Sequence, residues 1–116
     1  MPRPIVETLN HIQGSRCYSA FLMRERDVER HLVRQVKIYG GEVRKLKFVG
    51  RDGAPDRLVM LPHKVLFFVE LKASGKGATF PANAHERKQQ REHTRLRAMG
   101  QHVYVIDSFE QVDGLF

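Results

Sequence analysis

Two carboxylates and an ammonium, Asp56, Glu70 and Lys72, stand at the ends of an apolar hairpin pattern in this 116-residue chain. Gly53-Ala54-Pro55-Asp56 opens the first run, Pro62-His63 reads as the turn, and the second run passes through Val65, Leu66, Phe67, Phe68 and Val69 to Glu70-Leu71-Lys72. Side chains along a strand alternate faces, so Glu70 and Lys72 share a surface, about 7 Å apart, and Leu71 takes the other. Equal counting back from a Pro62-His63 turn puts Asp56 opposite Val69, and a single bulge would bring it level with Glu70. Gathering carboxylates beside so apolar a run is costly unless something compensates their charge. A hard divalent cation would do so. Mg²⁺ takes one or two protein carboxylates and completes its octahedron with water and phosphate oxygens, which suits Asp56, Glu70 and the main-chain carbonyl of Leu71. Such a site would draw charge from the oxygens of a phosphodiester and make a water a better nucleophile, with Lys72 holding that water or stabilising the developing charge.

The same residues have a plainer reading, as a half-exposed strand face with a weak Glu–Lys pair and an ordinary turn aspartate. Their joint occurrence favours the site. Taken together, Gly53-Ala54-Pro55-Asp56, Glu70-Leu71-Lys72 and the later Gln89, Leu96 and Gly100 resemble the VRR-NUC domain, the virus-type replication and repair branch of the PD-(D/E)xK nucleases, over residues 22–112. The resemblance implies a Mg²⁺- or Mn²⁺-dependent DNA endonuclease with Asp56 and Glu70 as metal ligands and Lys72 as the catalytic lysine. It also implies a glutamine near the water or the lysine, Gln89 with Gln90 as the alternative. An acidic residue on the first helix is implied as an added metal or water ligand, for which Glu29 is the choice and Glu25 the reserve. Small viral members made of this domain alone are associated with dimers acting on four-way junctions. A homodimer, Holliday-junction DNA and, for a viral protein, the host cytoplasm are therefore what the resemblance implies here.

Composition sets the outer bounds. The length suits one domain with a modest core. Cys17 is the single cysteine, so neither an internal disulfide nor a cysteine-based zinc site is expected, and a reduced cytoplasmic setting fits. The longest apolar run, Val65 to Val69, is far too short to span a membrane. Twenty basic against 13 acidic side chains give a formal charge of +7, which favours a polyanion as partner. With no tryptophan and few aromatic residues there is little to stack on single strands, so duplex or branched DNA is the better expectation.

The elements that must position the site follow from periodicity. Residues 1–18 read as an N-terminal arm and 19–116 as the domain. Leu22, Val28, Leu32, Val36 and Tyr39 predict a helix from an N-cap at Ser19 to a stop at Gly40-Gly41, with Glu25 and Glu29 near its apolar stripe. A strand is expected over 42–49, with Lys45 and Lys47 lining one side. Strands follow over 56–61 and 64–72, the latter apolar enough to be central with both faces covered. Residues 73–84 read as a mobile loop. A polar helix over 85–99 turns Gln89, Leu96 and Met99 inward, a strand runs from His102 to Ile106, and a short helix or tail ends the chain. The sum is an α/β fold, a restriction-endonuclease-like domain with a central mixed sheet flanked by helices. Lys45, Lys47, Arg57 and Lys76 are the expected contacts to DNA.

Other chemistries fail on spacing. Gly75-Lys76-Gly77-Ala78-Thr79 lacks the phosphate-loop pattern, which sets nucleoside triphosphates aside, and His85-Glu86 is followed at 89 by glutamine where a zinc protease needs histidine. The remaining histidines read as surface or packing residues. The rival class is a non-catalytic DNA-binding module on the same scaffold; cleavage separates the two.

Overall fold

The computed structural model describes residues 22–116; the expected N-terminal arm and the Ser19 cap lie outside them. In chain order the elements are α1 (Glu25–Ile38), β1 (Glu42–Lys45), β2 (Arg57–Leu61), β3 (Val65–Leu71), α2 (Ala84–Ala98), β4 (Val103–Ile106) and α3 (Phe109–Asp113). The strands form one mixed sheet in the order β1-β2-β3-β4, antiparallel at the first two junctions and parallel at the third. The parallel step is made through α2, as a same-direction return requires a crossover.

One face of the sheet carries the apolar core. Val59 of β2 and Phe67, Val69 and Leu71 of β3 pack with Val28, Leu32 and Val36 of α1, with Ile106, and with Val112 and Leu115 at the C-terminal end. The core spacing of α1 is as expected, but its beginning differs. Arg24 is the N-cap, and the Asp27 carboxylate accepts from the Arg24 main-chain N–H at 3.1 Å. Leu22 therefore precedes the helix and is 85% exposed instead of extending the stripe. Both long helices stop at the expected glycines. Gly40 and Gly100 take positive φ of 82° and 85°, and the next residues, Gly41 and Gln101, donate back to the carbonyls of Val36 and Leu96.

Other boundaries differ for local reasons. β1 ends at Lys45, paired with Arg57; one further main-chain bond, from Leu46 N–H to the Asp56 carbonyl at 3.1 Å, closes the ladder, and residues 47–55 loop out instead of continuing the strand. Met99 caps α2 and is 68% exposed, not inward. β3 is interior to the sheet, yet Leu66 near the turn is 41% exposed, so its second face is covered only toward Glu70. The segment 73–83 is anchored in its first half: Ser74 exchanges hydrogen bonds with the Met23 main chain, and Gly77 N–H donates to Asp107 at 2.9 Å.

Gly53 is where the 47–55 loop meets α2. Its φ is +92°, and a Cβ there would lie 2.5 Å from the Lys88 carbonyl oxygen. Gly53→Ala is expected to cost roughly 2 kcal/mol or more, since it combines an unfavourable φ with a main-chain clash. A lower urea midpoint with an unchanged slope would register it; an unchanged midpoint would show that the loop does not need this approach.

Candidate active site

The register of β2 on β3 builds the site. Leu61 pairs with Val65 and Arg57 with Val69, so the next step outward sets Asp56 level with Glu70. No bulge is needed. The turn holds three residues, 62–64, rather than two, and His63 and Lys64 both take positive φ, 65° and 66°, to close it. That extra residue supplies the one-position shift that a Pro62-His63 turn would lack. Asp56 is fixed at the strand entry by the Leu71 main-chain N–H, which donates to its Oδ2 at 2.8 Å.

Glu70 points away from the apolar core, toward α2, and is 1% exposed. Both of its oxygens are met from one stripe of that helix: Gln89 Nε2 donates to Oε2 at 3.0 Å, and His93 Nε2 lies 3.1 Å from Oε1. Gln89 also accepts from Lys72 Nζ at 3.0 Å, so one amide links the carboxylate to the ammonium. Lys72 Nζ lies 2.9 Å from Glu86 Oε2, 3.8 Å from Glu70 Oε2 and 5.1 Å from the centre of the Phe80 ring. Glu86 in turn accepts from Ala82 N–H beside the Asn83 N-cap. Of the two glutamines, Gln89 faces the site and Gln90 is exposed.

The electrostatics report crowded negative charge. Burial first, then the hydrogen bond and charge of Asp56, push the Glu70 carboxyl up to about 9. Glu25, exposed on the first turn of α1, is also raised, by desolvation and then by Asp56. Glu25 thus lies in the field of the pair. Glu29, the expected first-helix residue, is engaged elsewhere: it pairs with Arg57, which alternation places on the α1 face of the sheet, away from Glu70. Arg57, expected to meet DNA, is only 14% exposed at its side chain and also donates to the Asp56 carbonyl. Lys45, Lys47 and Lys76 are exposed.

Sequence reasoning missed His93, Glu86 and Phe80. Burial lowers the His93 imidazole to about 4, so it is neutral, and Phe80 stacks on it at 5.5 Å. Its Nδ1 has no hydrogen-bond partner among the described residues. The signal was available in the spacing of Glu86, Gln89, His93 and Leu96, which lie on one helical stripe.

The donor set bears on which cation the site could take. Among the described residues no three His, Cys, Asp or Glu side chains are grouped as a metal cage. Two adjacent carboxyls, one of them pushed into the protonated range by burial and by the other, do fit Mg²⁺, which needs only one or two carboxylates and keeps the rest of its sphere for water and phosphate. A cation would take the place of that proton.

No family model matches the chain. Individual proteins do. The chain is 46% identical over 87 residues to "Putative nuclease p44" of Acyrthosiphon pisum secondary endosymbiont phage 1, covering 75% of this chain and 86% of the relative. A solved structure described as a VRR_NUC domain superposes with a TM-score of 0.66 at 41% identity, covering 80% of this chain and 94% of its own. The chain belongs to the VRR-NUC family. Both similarities support a nuclease, and the mixed four-stranded sheet with its flanking helices is the VRR-NUC scaffold. On that scaffold the Asp56–Glu70 alignment and the Lys72 network occupy the end of β3, where β2 and β4 flank it. No helix among the described residues is long and apolar enough to cross a membrane.

Proposed function

We propose that this VRR-NUC protein is a Mg²⁺-dependent DNA endonuclease, with Mn²⁺ able to substitute, acting on branched duplexes such as four-way junctions as a homodimer. The observation that carries the reading is the meeting of the Asp56 and Glu70 carboxyls at the end of β3, with Asp56 Oδ2 held by the Leu71 N–H and Lys72 Nζ 3.8 Å from Glu70. Asp56, Glu70 and the Leu71 carbonyl would hold the ion, with Glu25 better placed than Glu29 to join them through water. When bound, it supplies charge to a phosphodiester oxygen and acidifies a water.

The remaining work falls to the chain's own side chains. Gln89 holds the Glu70 carboxylate and the Lys72 ammonium at fixed separation, and Glu86 and the Phe80 ring keep that ammonium in place. Lys72 then orients the attacking water and stabilises charge on the phosphoryl oxygens. The water oxygen bonds to phosphorus, the bond to one sugar oxygen breaks, and that oxygen leaves with a proton. Lys45, Lys47 and Lys76 meet the DNA backbone. Symmetrical cutting of a junction needs two such sites, hence two subunits.

Purified protein incubated with linear, flapped and four-way DNA is expected to nick in Mg²⁺ or Mn²⁺, to favour the four-way substrate, and to stop in EDTA. Light scattering under the same conditions is expected to give twice the chain mass. Binding without cleavage in either metal would support the DNA-binding module instead, and equal cutting of all three substrates would remove the junction preference.

A further inference from the structure

A second stripe of α2 is left over by the site just described. Lys88, Arg91 and Arg95 recur along it at helical spacing, and Arg51 and Asp52 of the adjoining loop face them across a cleft of about 200 Å³. The cleft is held together from below. Gly53 lets the loop main chain touch α2, and Glu92, 6% exposed, accepts from Arg51 Nε at 3.1 Å and lies 3.7 Å from Arg95 Nη1. Lys88 is 3.6 Å from Asp52. Arg91 has no ion-pair partner among the described residues.

Four cations and two carboxylates line the cleft, so it keeps an excess of positive charge. One of those carboxylates is hidden. Glu92 is sunk beneath the guanidiniums, while the side chains of Arg51, Lys88 and Arg95 are 48%, 53% and 63% exposed. A buried carboxylate with two arginines over it is a mount for cationic heads, each guanidinium keeping donors for an outside acceptor. The heads form a row. At 1.5 Å per residue, Lys88 to Arg95 covers about 10 Å, roughly the rise of three base-pair steps along a duplex axis at 3.4 Å each. A row of that length fits successive phosphates of a polymer better than one free anion.

The cleft is also registered to the carboxylate site, because Lys88 adjoins Gln89 and Glu92 adjoins His93, the two residues that hold Glu70. We propose that the Arg51–Lys88–Arg91–Arg95 cleft is a backbone clamp for the substrate strand, gripping phosphates a fixed few nucleotides from the one to be cut, with Glu92 as the residue that positions Arg51 and Arg95. This rests on the nuclease reading for its substrate.

The test compares Arg91→Glu, which breaks no ion pair in the cleft, with Arg30→Glu, the same change of charge on exposed α1. The triple variant K88A/R91A/R95A is added. Duplex binding is followed by fluorescence anisotropy in EDTA over a range of salt, and cleavage is followed in Mg²⁺. Arg91→Glu is expected to weaken binding about tenfold at physiological salt, and the triple variant to flatten the log–log salt slope by about two to three. Arg30→Glu should stay within about twofold, and cleavage by Arg91→Glu should return at low salt. Unchanged affinity and slope in both cleft variants, or an equal loss in Arg30→Glu, would overturn the clamp. Unmutated protein that binds through the cleft yet never cuts in Mg²⁺ or Mn²⁺ would overturn the nuclease reading and leave the clamp standing.

Discussion

Glu70→Gln is expected to abolish cleavage and, in metal-free protein at neutral pH, to raise stability. The Glu70 carboxyl lies near 9 in the fold against an ordinary value of 4.5. Between those values the folded chain binds a proton that the unfolded chain has released, so stability is greatest below about 4.5 and falls as pH rises toward 9. At pH 7 the accumulated loss is at most about 3 kcal/mol, at about 1.4 kcal/mol per pH unit. A glutamine carries no such cost. Its amide also fits the existing partners, accepting from Gln89 and donating to His93 Nε2, since the neutral imidazole can shift its proton to the unpartnered Nδ1.

A gain of 1 to 3 kcal/mol corresponds to a Tm increase of roughly 5 to 15 °C for a domain of this size. Stability of the variant should also lose the decline between pH 5 and 8 expected of the unmutated protein, about 1.4 kcal/mol per pH unit at most. Saturating Mg²⁺ should reverse the ranking, because only the glutamate offers the ion an anionic ligand and gains from its binding. Thermal melts at several pH values, with EDTA or with Mg²⁺, give all three comparisons. A variant that melts lower than the parent in EDTA, or keeps its pH slope, would mean that Glu70 is not the source of the strain.

That strain was partly visible in the sequence. Apolar run, flanking carboxylates and strand alternation were enough to put Glu70 and Lys72 on one face and Asp56 nearby. The register was not, because it depends on His63 and Lys64 adopting positive φ, a conformation neither residue type favours and which only the closed hairpin enforces. Glycine stops at 40 and 100 could be read because positive φ there is the common solution for glycine.

α2 was legible as a helix but not as a wall of the site. Hydrophobic periodicity identifies helix faces that bury apolar groups, whereas this one buries Gln89, Glu92 and His93 against charged partners. The different surroundings of Glu25 and Glu29 were not legible for a related reason. Both lie on the same stripe of α1, and what separates them is Arg57, which strand alternation sends to the α1 face, where it takes Glu29. Sequence spacing along one helix says nothing of which cation the neighbouring strand presents.

Lys72→Met should reduce the rate of cleavage by about a hundredfold to a thousandfold, the scale seen when one donor to a developing charge is removed. The methionine keeps the length of the stem against Phe80 and removes only the ammonium. Two roles for that ammonium would give the same loss under one condition and different losses under another. As a counter-charge for Glu70, 3.8 Å away, its removal would alter how well the carboxylates hold an ion, and a higher Mg²⁺ concentration would change the measured activity. As the group that orients water and meets phosphoryl charge, its loss would persist at saturating metal, with kcat falling and DNA affinity in EDTA unchanged. The geometry favours the second role, because Nζ is nearer to Gln89 and Glu86, at 3.0 and 2.9 Å, than to Glu70, and these two hold it at the mouth of the site. Glu86→Gln, which keeps an acceptor but removes the charge, is then expected to cost only about tenfold, through looser placement of the ammonium. Activity of Lys72→Met restored by metal alone would move Lys72 from the reaction to the upkeep of Glu70.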